Sequence, residues 1–123
     1  MMERKESPLQ TKSEAFAKRI IKLYAYLTKT KHEFVMSKQI YRSGTSIGAN
    51  IAESRNAQSP ADFINKLSIA LKESDETDYW LKSLHNGDFL NDAEFESIHN
   101  DNMEISKMLT SSVKTIKMKF GNL

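Results

Sequence analysis

Three sets of residues have side chains whose types and spacing suit chemistry. The first is RSGTSIGANIAES, residues 42–54, which gathers two of the chain's four glycines with serines and a threonine, the mixture of a phosphate-gripping loop. A Walker-type loop needs four residues between its glycines, then Lys and Ser/Thr, so that backbone amides surround the phosphates and the lysine neutralises them. Here Gly44 and Gly48 have three residues between them, Ala49 and Asn50 follow, and no strand-like run precedes. The dinucleotide fingerprint also fails, because it wants a preceding strand and another glycine spacing. The spacing suits a helix: Gly44, Gly48 and Ala52 fall four apart on one face, with Ser43, Ser46 and Ala49 beside them. Such a stripe lets another helix backbone come close. Each helical glycine costs roughly 1 kcal/mol relative to alanine, so close packing is expected to offset it.

The second set is acidic. Glu73-x-x-Glu76 and Asp101-x-x-Glu104 each put two carboxylates on one helix face, as helical nucleotide pyrophosphohydrolases do to hold Mg²⁺. The double-Glu start of that motif is absent, and Arg42 competes for Glu73. A di-iron site needs two Glu-x-x-His pairs. Glu96 and His99 form one, and neither His32 nor His85 completes a second. No Ser-His-Asp arrangement can be built from these positions, and with no cysteine there is no thiolate metal site, disulfide or cysteine nucleophile. No catalytic residue, metal or cofactor is expected.

The third set is aromatic: Tyr24, Tyr26, Tyr41, Tyr79, Trp80 and Phe89 could stack on bases. At helical spacing they read first as core or interface residues. Tyr79 and Trp80 cannot both face one core, so one of them is expected to anchor a neighbouring subunit.

The elements that position these residues are helices. Apolar residues recur at three and four, strand alternation is absent, and the two prolines sit in punctuation. The first helix is expected from a Ser13 cap to about Thr30, with Phe16, Ile20, Leu23 and Leu27 inward, leaving residues 1–12 as a flexible segment. The second runs from about Phe34 to Ala57 with Met36, Ile40, Ser43, Ile47 and Asn50 or Ile51 on its inward stripe. The third opens at Ser59 with Pro60 in its first position, carries Phe63, Leu67, Ala70, Ser74, Thr77, Leu81 and Leu84, and stops at HNGD. The fourth spans about Asp92 to Lys119, with Phe95, Ile98, Ile105, Leu109, Val113, Ile116 and Phe120 on its stripe. Four long helices with short links predict an all-α, antiparallel up-down four-helix bundle as one domain over 13–120. With the second turn centred near residue 58, Arg42 falls opposite Glu73 and Glu76, and Asn50 opposite Leu67. Arg42 is then a buried or half-buried ion-pair partner; the competing reading is an exposed phosphate contact.

Net charge is only +2, but residues 1–45 carry ten bases against four acids, 46–104 four against twelve, and 105–123 four against none. Segregation of this kind steers polyanions to one face or pairs one subunit with another. The N-terminus has no apolar run and no stretch reaches eighteen apolar residues, so a cytoplasmic protein without a signal peptide or membrane span is expected.

AFAKRIIKLYAYL, SKQIYRSGTSIGANIAES, SPADFINKLSIALKESDETDYWLKSL and MLTSSVKTIKMK together resemble the 23S rRNA intervening-sequence proteins, over about Ala15 to Lys119. The resemblance implies an up-down four-helix bundle assembled into a five-subunit ring. It implies no enzyme activity. Related accessory proteins of diversity-generating retroelements bind a reverse transcriptase and nucleic acid through a basic surface. Arg42, Ser43, Gly44, Gly48, Asn50 and Glu53 transfer as structural or assembly positions, joined by Glu73, Glu76 and Trp80. RNA or an RNA-associated protein is the expected partner, contacted by Lys18, Arg19, Lys22 and Lys38 or by the C-terminal Lys114, Lys117 and Lys119. Such contacts are salt-dependent and sequence-blind. The alternatives for these lysines are a solvated helix face and a protein-presenting scaffold that binds no nucleic acid.

Overall fold

A computed structural model describes residues 7–121 as four helices: α1 (Pro8–Lys29), α2 (Met36–Ser54), α3 (Pro60–Asn86) and α4 (Asp92–Phe120). No strand occurs among the described residues. Both prolines occupy the first helical position, where the missing N–H is not needed. Ser59 caps α3 by accepting from the Asp62 amide at 3.0 Å, as its sequence predicts.

Helix α1 starts five residues before the expected Ser13 cap. Ser7-Pro8 repeats the Ser59-Pro60 pattern: Ser7 accepts from the Gln10 amide at 3.0 Å, and the helix is already formed at Pro8. Ser13 is buried inside the helix and donates to the Gln10 carbonyl at 2.9 Å. Of the segment expected to be flexible, residues 1–6 lie outside the described residues and 8–12 are helical.

Helix α2 is shorter than expected at both ends, and its start depends on a residue that periodicity does not reveal. The buried carboxylate of Glu33 accepts from the amides of Val35, Met36 and Ser37 at 3.1, 3.1 and 2.7 Å, while the Ser37 hydroxyl donates to the Glu33 carbonyl at 2.8 Å. A carboxylate there satisfies free amides and complements the positive end of the helix. At α4, Asn91 and Glu94 form a reciprocal capping box.

Helix contacts run α1–α2, α2–α3, α3–α4 and α4–α1, so the four helices surround one core, and the α1–α4 seam is the least packed. Phe16, Ile20, Leu27, Ile40, Ile47, Leu67, Leu81, Leu84, Ile105 and Leu109 are buried in it. Phe120, expected on the inward stripe of α4, is exposed, because α4 reaches past the layer that α1 and α3 can cover. A polar layer crosses the middle of the core. Ser74 donates to Asn102 Oδ1 at 2.9 Å, Asn102 donates back to the Ser74 carbonyl at 3.0 Å, and the Ser43 and Thr77 hydroxyl oxygens lie 2.9 Å apart. No buried side-chain polar atom among the described residues lacks a partner, so the layer avoids the penalty of an unsatisfied group.

The glycine stripe packs against α1. A Cβ at Gly44 would stand 2.7 Å from Cγ1 of Ile20, closer than side chains approach, and one at Gly48 would meet Ser13 Oγ at 3.4 Å. Ala52, the third member of the stripe, is exposed and outside this contact.

Candidate functional site

No metal or nucleotide constellation forms from the acidic pairs. Arg42 bridges them on α3: its guanidinium donates to Glu73 at 3.1 Å and to Glu76, and the Trp80 indole N–H donates to the same Glu76 oxygen at 3.2 Å. The hydrogen bond to Glu76 is the main cause that raises the Arg42 pKa above its usual value; partial burial opposes it and the Glu73 charge reinforces it. Of the two readings of Arg42, the structure has the ion pair. On α4, Asp101 accepts from Arg19 at 2.6 Å and Glu104 accepts from Lys12. Each carboxylate of the two pairs therefore faces a cation, and no group of three His, Cys, Asp or Glu residues able to hold a metal occurs among the described residues.

The Ser43–Thr77 and Glu53–Lys66 contacts have their midpoints close to residue 60, so Asn50 stands level with Ile69 and Ala70 rather than with Leu67. Its amide donates to the Ser46 carbonyl at 2.8 Å, within its own helix. Lys66 lies 3.0 Å from Glu53, whose hydrogen bond and charge raise the Lys66 pKa.

The basic candidates divide in two. Arg19 is occupied: besides Asp101 it donates to the carbonyl and hydroxyl oxygens of Ser97 at 3.2 and 3.0 Å. Lys18, Lys22 and Lys38 are exposed and have no acidic partner among the described residues, as are Lys114 and Lys117 near the end of α4. Lys119 sits 5.5 Å over the Phe120 ring. From Ala15 to Ala52 the chain carries seven bases and one carboxylate, and that carboxylate is Glu33, buried at the α2 cap. The outward surface of α1 and α2 between Glu14 and Glu53 is thus cationic and without an exposed acid.

The aromatic candidates divide as well. Tyr26, Trp80 and Phe89 pack against the core, whereas Tyr24, Tyr41 and Tyr79 are exposed. Tyr79 meets Trp80 edge to face at 5.0 Å, and of that pair it is the one that points outward. Tyr24 and Tyr41, one from each of α1 and α2, pack on each other with ring centroids 5.0 Å apart.

A feature that sequence reading missed is a stack at the α3–α4 turn, with Phe95 between His85 at 4.3 Å and His99 at 4.8 Å. His85 is bonded to Asp92 at 2.7 Å and His99 to Asp78 at 2.6 Å. His99 therefore looks across to α3 and not to Glu96. The available signal was the i, i+4 spacing of Phe95 and His99.

The family model described as 23S rRNA-intervening sequence protein matches residues 5–111. The chain belongs to that family. A crystal structure of a protein of unknown function from the S23 ribosomal protein family of Bacteroides thetaiotaomicron VPI-5482 is 57% identical, with a TM-score of 0.86. The similarity covers 86% of this chain and 98% of that one. Among curated proteins none matches. As a 23S rRNA-intervening sequence protein the chain shares its helical architecture with that relative over nearly the whole bundle. No helix among the described residues is long and apolar enough to cross a membrane.

Proposed function

We propose that this 23S rRNA-intervening sequence protein is a non-enzymatic, cytoplasmic binding protein, an antiparallel up-down bundle that assembles with copies of itself, by resemblance into a five-membered ring, and takes RNA as its partner. The observation that carries the reading is the run from Ala15 to Ala52, with seven bases and a single buried carboxylate. Five of the seven, Lys18, Lys22, Lys29, Lys31 and Lys38, form no ion pair among the described residues, and such cations are what a polyanion needs, release of its counterions driving the association. The up-down arrangement is supported by the contacts themselves: rising numbers on one helix meet falling numbers on the next, as Arg42 with Glu76 and Glu53 with Lys66.

The test is a salt titration of binding to structured RNA and to duplex DNA, on protein whose mass has been fixed by light scattering. The expected outcome is an oligomer whose affinity falls steeply as salt rises, with Lys18→Gln and Lys22→Gln each reducing the salt slope by about one. Absence of binding at low salt removes nucleic acid from the function and leaves the second reading, a scaffold that presents a surface to another protein. The exposed Tyr79, 62% accessible, favours that alternative because an outward aromatic suits a protein interface.

A further inference from the structure

Along the seam between α1 and α2, Tyr24 and Tyr41 lie side by side with their rings tilted by 59°, and 36% and 40% of these residues is exposed. They line a cleft of about 530 Å³ whose rim is formed by Lys29 from α1 and Lys38 from α2. A second cleft of about 450 Å³ shares Lys38 and Tyr41 and continues the trough past Gln39 to Thr45 and Ser46. Neither Lys29 nor Lys38 has an ion-pair partner among the described residues. The only other charged group in the trough, Arg42, is held at its far end by Glu73 and Glu76. Lys18 and Lys22 share a helical stripe of α1 with Lys29 but lie outside the trough, Lys22 lining the cleft between α1 and α4. Eleven residues separate Lys18 from Lys29, roughly 16 Å along the helix.

We infer that the Tyr24–Tyr41 trough is the docking site for a single-stranded segment of RNA, with unstacked bases on the tyrosine rings and phosphates over Lys29 and Lys38. The inference rests on the RNA-binding reading above and names its surface and substrate class. Three features select single strands. A duplex keeps its bases stacked and offers the rings nothing, whereas a loop or free end presents π-faces that aromatic side chains accept whatever the sequence. The lysines flank the rings from both helices, so a backbone can track along the seam while its bases turn inward. The outward amide of Gln39 supplies a donor and an acceptor for a base edge beside Tyr41.

The experiment measures fluorescence anisotropy of a labelled 12-nucleotide single-stranded RNA and of a perfectly paired RNA duplex, at matched salt, with the mass of every variant read by light scattering. Tyr24→Ala with Tyr41→Ala is expected to weaken single-strand binding about ten-fold or more, to leave duplex binding unchanged and to leave the mass unchanged. Tyr24→Phe with Tyr41→Phe keeps the rings and is expected to bind within about two-fold of the parent. Lys29→Gln with Lys38→Gln is expected to reduce the single-strand salt slope by about 1.4, at roughly 0.7 per phosphate contact. This pair serves as the deciding variant if the alanine pair does not fold. Parent-level single-strand affinity in the alanine and glutamine variants overturns the trough while leaving RNA binding elsewhere on the protein. A parent that binds neither RNA overturns the RNA reading itself. A fall in mass of the alanine variant overturns the trough in another way, by showing that these tyrosines seat a second copy of the chain.

Discussion

From Ala15 to Ala52, the α1–α2 hairpin with its turn carries seven bases and one carboxylate; from Glu73 to Glu104, the α3–α4 hairpin with its turn carries ten carboxylates and one lysine. The two hairpins share a fold and differ in how they use it. On the acidic side, Glu73, Glu76, Asp78, Asp92, Asp101 and Glu104 each meet a cation or a histidine, and the layer beneath them is held by hydrogen bonds. On the basic side the helices are joined mainly by apolar contact and close approach at glycine, with a polar link from Arg55 at the α2 C-cap to Gln10, and most of the lysines face outward without ion-pair partners. Groups that lack partners inside the chain are the ones available outside it. For that reason charge that is nearly neutral in total still distinguishes the two hairpins, and it is the basic one on which the proposed binding rests.

The comparison can be broken most severely on the basic side. Gly44→Leu must push against Ile20, which already stands 2.7 Å from where a Cβ would lie. It is expected to cost about 1–3 kcal/mol or more by overpacking, read as a drop of several degrees in the melting temperature. Gly48→Ala, with only ordinary contact to Ser13, is expected to leave the melting temperature unchanged or slightly higher, since alanine is the better helix former. If both variants melt like the parent, α1 and α2 are not held by close approach.

On the acidic side the corresponding break is Asn102→Ala. It removes both hydrogen bonds to Ser74 in a layer without water access. The expected loss is about 1–3 kcal/mol, measured by urea denaturation, because Ser74 is left with unmet groups. A change too small to detect would mean that the layer tolerates rearrangement and does not hold α3 to α4.

The smallest effect sharpens the boundary between the hairpins. Arg42→Ala deletes the bridge from α2 to Glu73 and Glu76, but the arginine side chain is 50% exposed. Solvent screening limits the loss to about 0.2–1 kcal/mol. RNA affinity in the salt titration is expected to fall by no more than a few-fold, since Arg42 borders the trough with its charge already met by Glu73 and Glu76. Lost affinity at full stability would move Arg42 from the internal network to the binding surface.

Most of the helical frame was legible in the sequence. The inward stripe of α1 at Phe16, Ile20, Leu23 and Leu27 follows from periodicity alone, and all four are buried. Arg42 facing Glu73 and Glu76 follows from antiparallel register. The misses have a common cause. Periodicity reports which face is apolar and is silent on side chains that serve backbone groups. Ser7 capping α1 and Glu33 capping α2 both act on amides, and Asn102 is a polar residue in a position whose burial depends on a partner from another helix. The Ser7-Pro8 signal was present in the sequence, in the same form as Ser59-Pro60. For the candidate site, spacing could nominate Tyr24 and Tyr41 only among six aromatic residues. Which of the six remain exposed is decided by packing between helices, and a single helical period does not contain that information.

The seam between α1 and α4 sets how the bundle comes apart. It is the least packed of the four, it borders a cleft of about 580 Å³, and its polar links, from Lys12 to Glu104 and from Arg19 to Asp101 and Ser97, are largely exposed to solvent. Its two helices are joined by no turn, being the first and last in the chain order. Local opening follows the weakest contacts, so the outer helices part here first. Amide exchange in α1 and α4 is therefore expected to run ahead of exchange in α2 and α3, and to quicken as added electrolyte screens the exposed links.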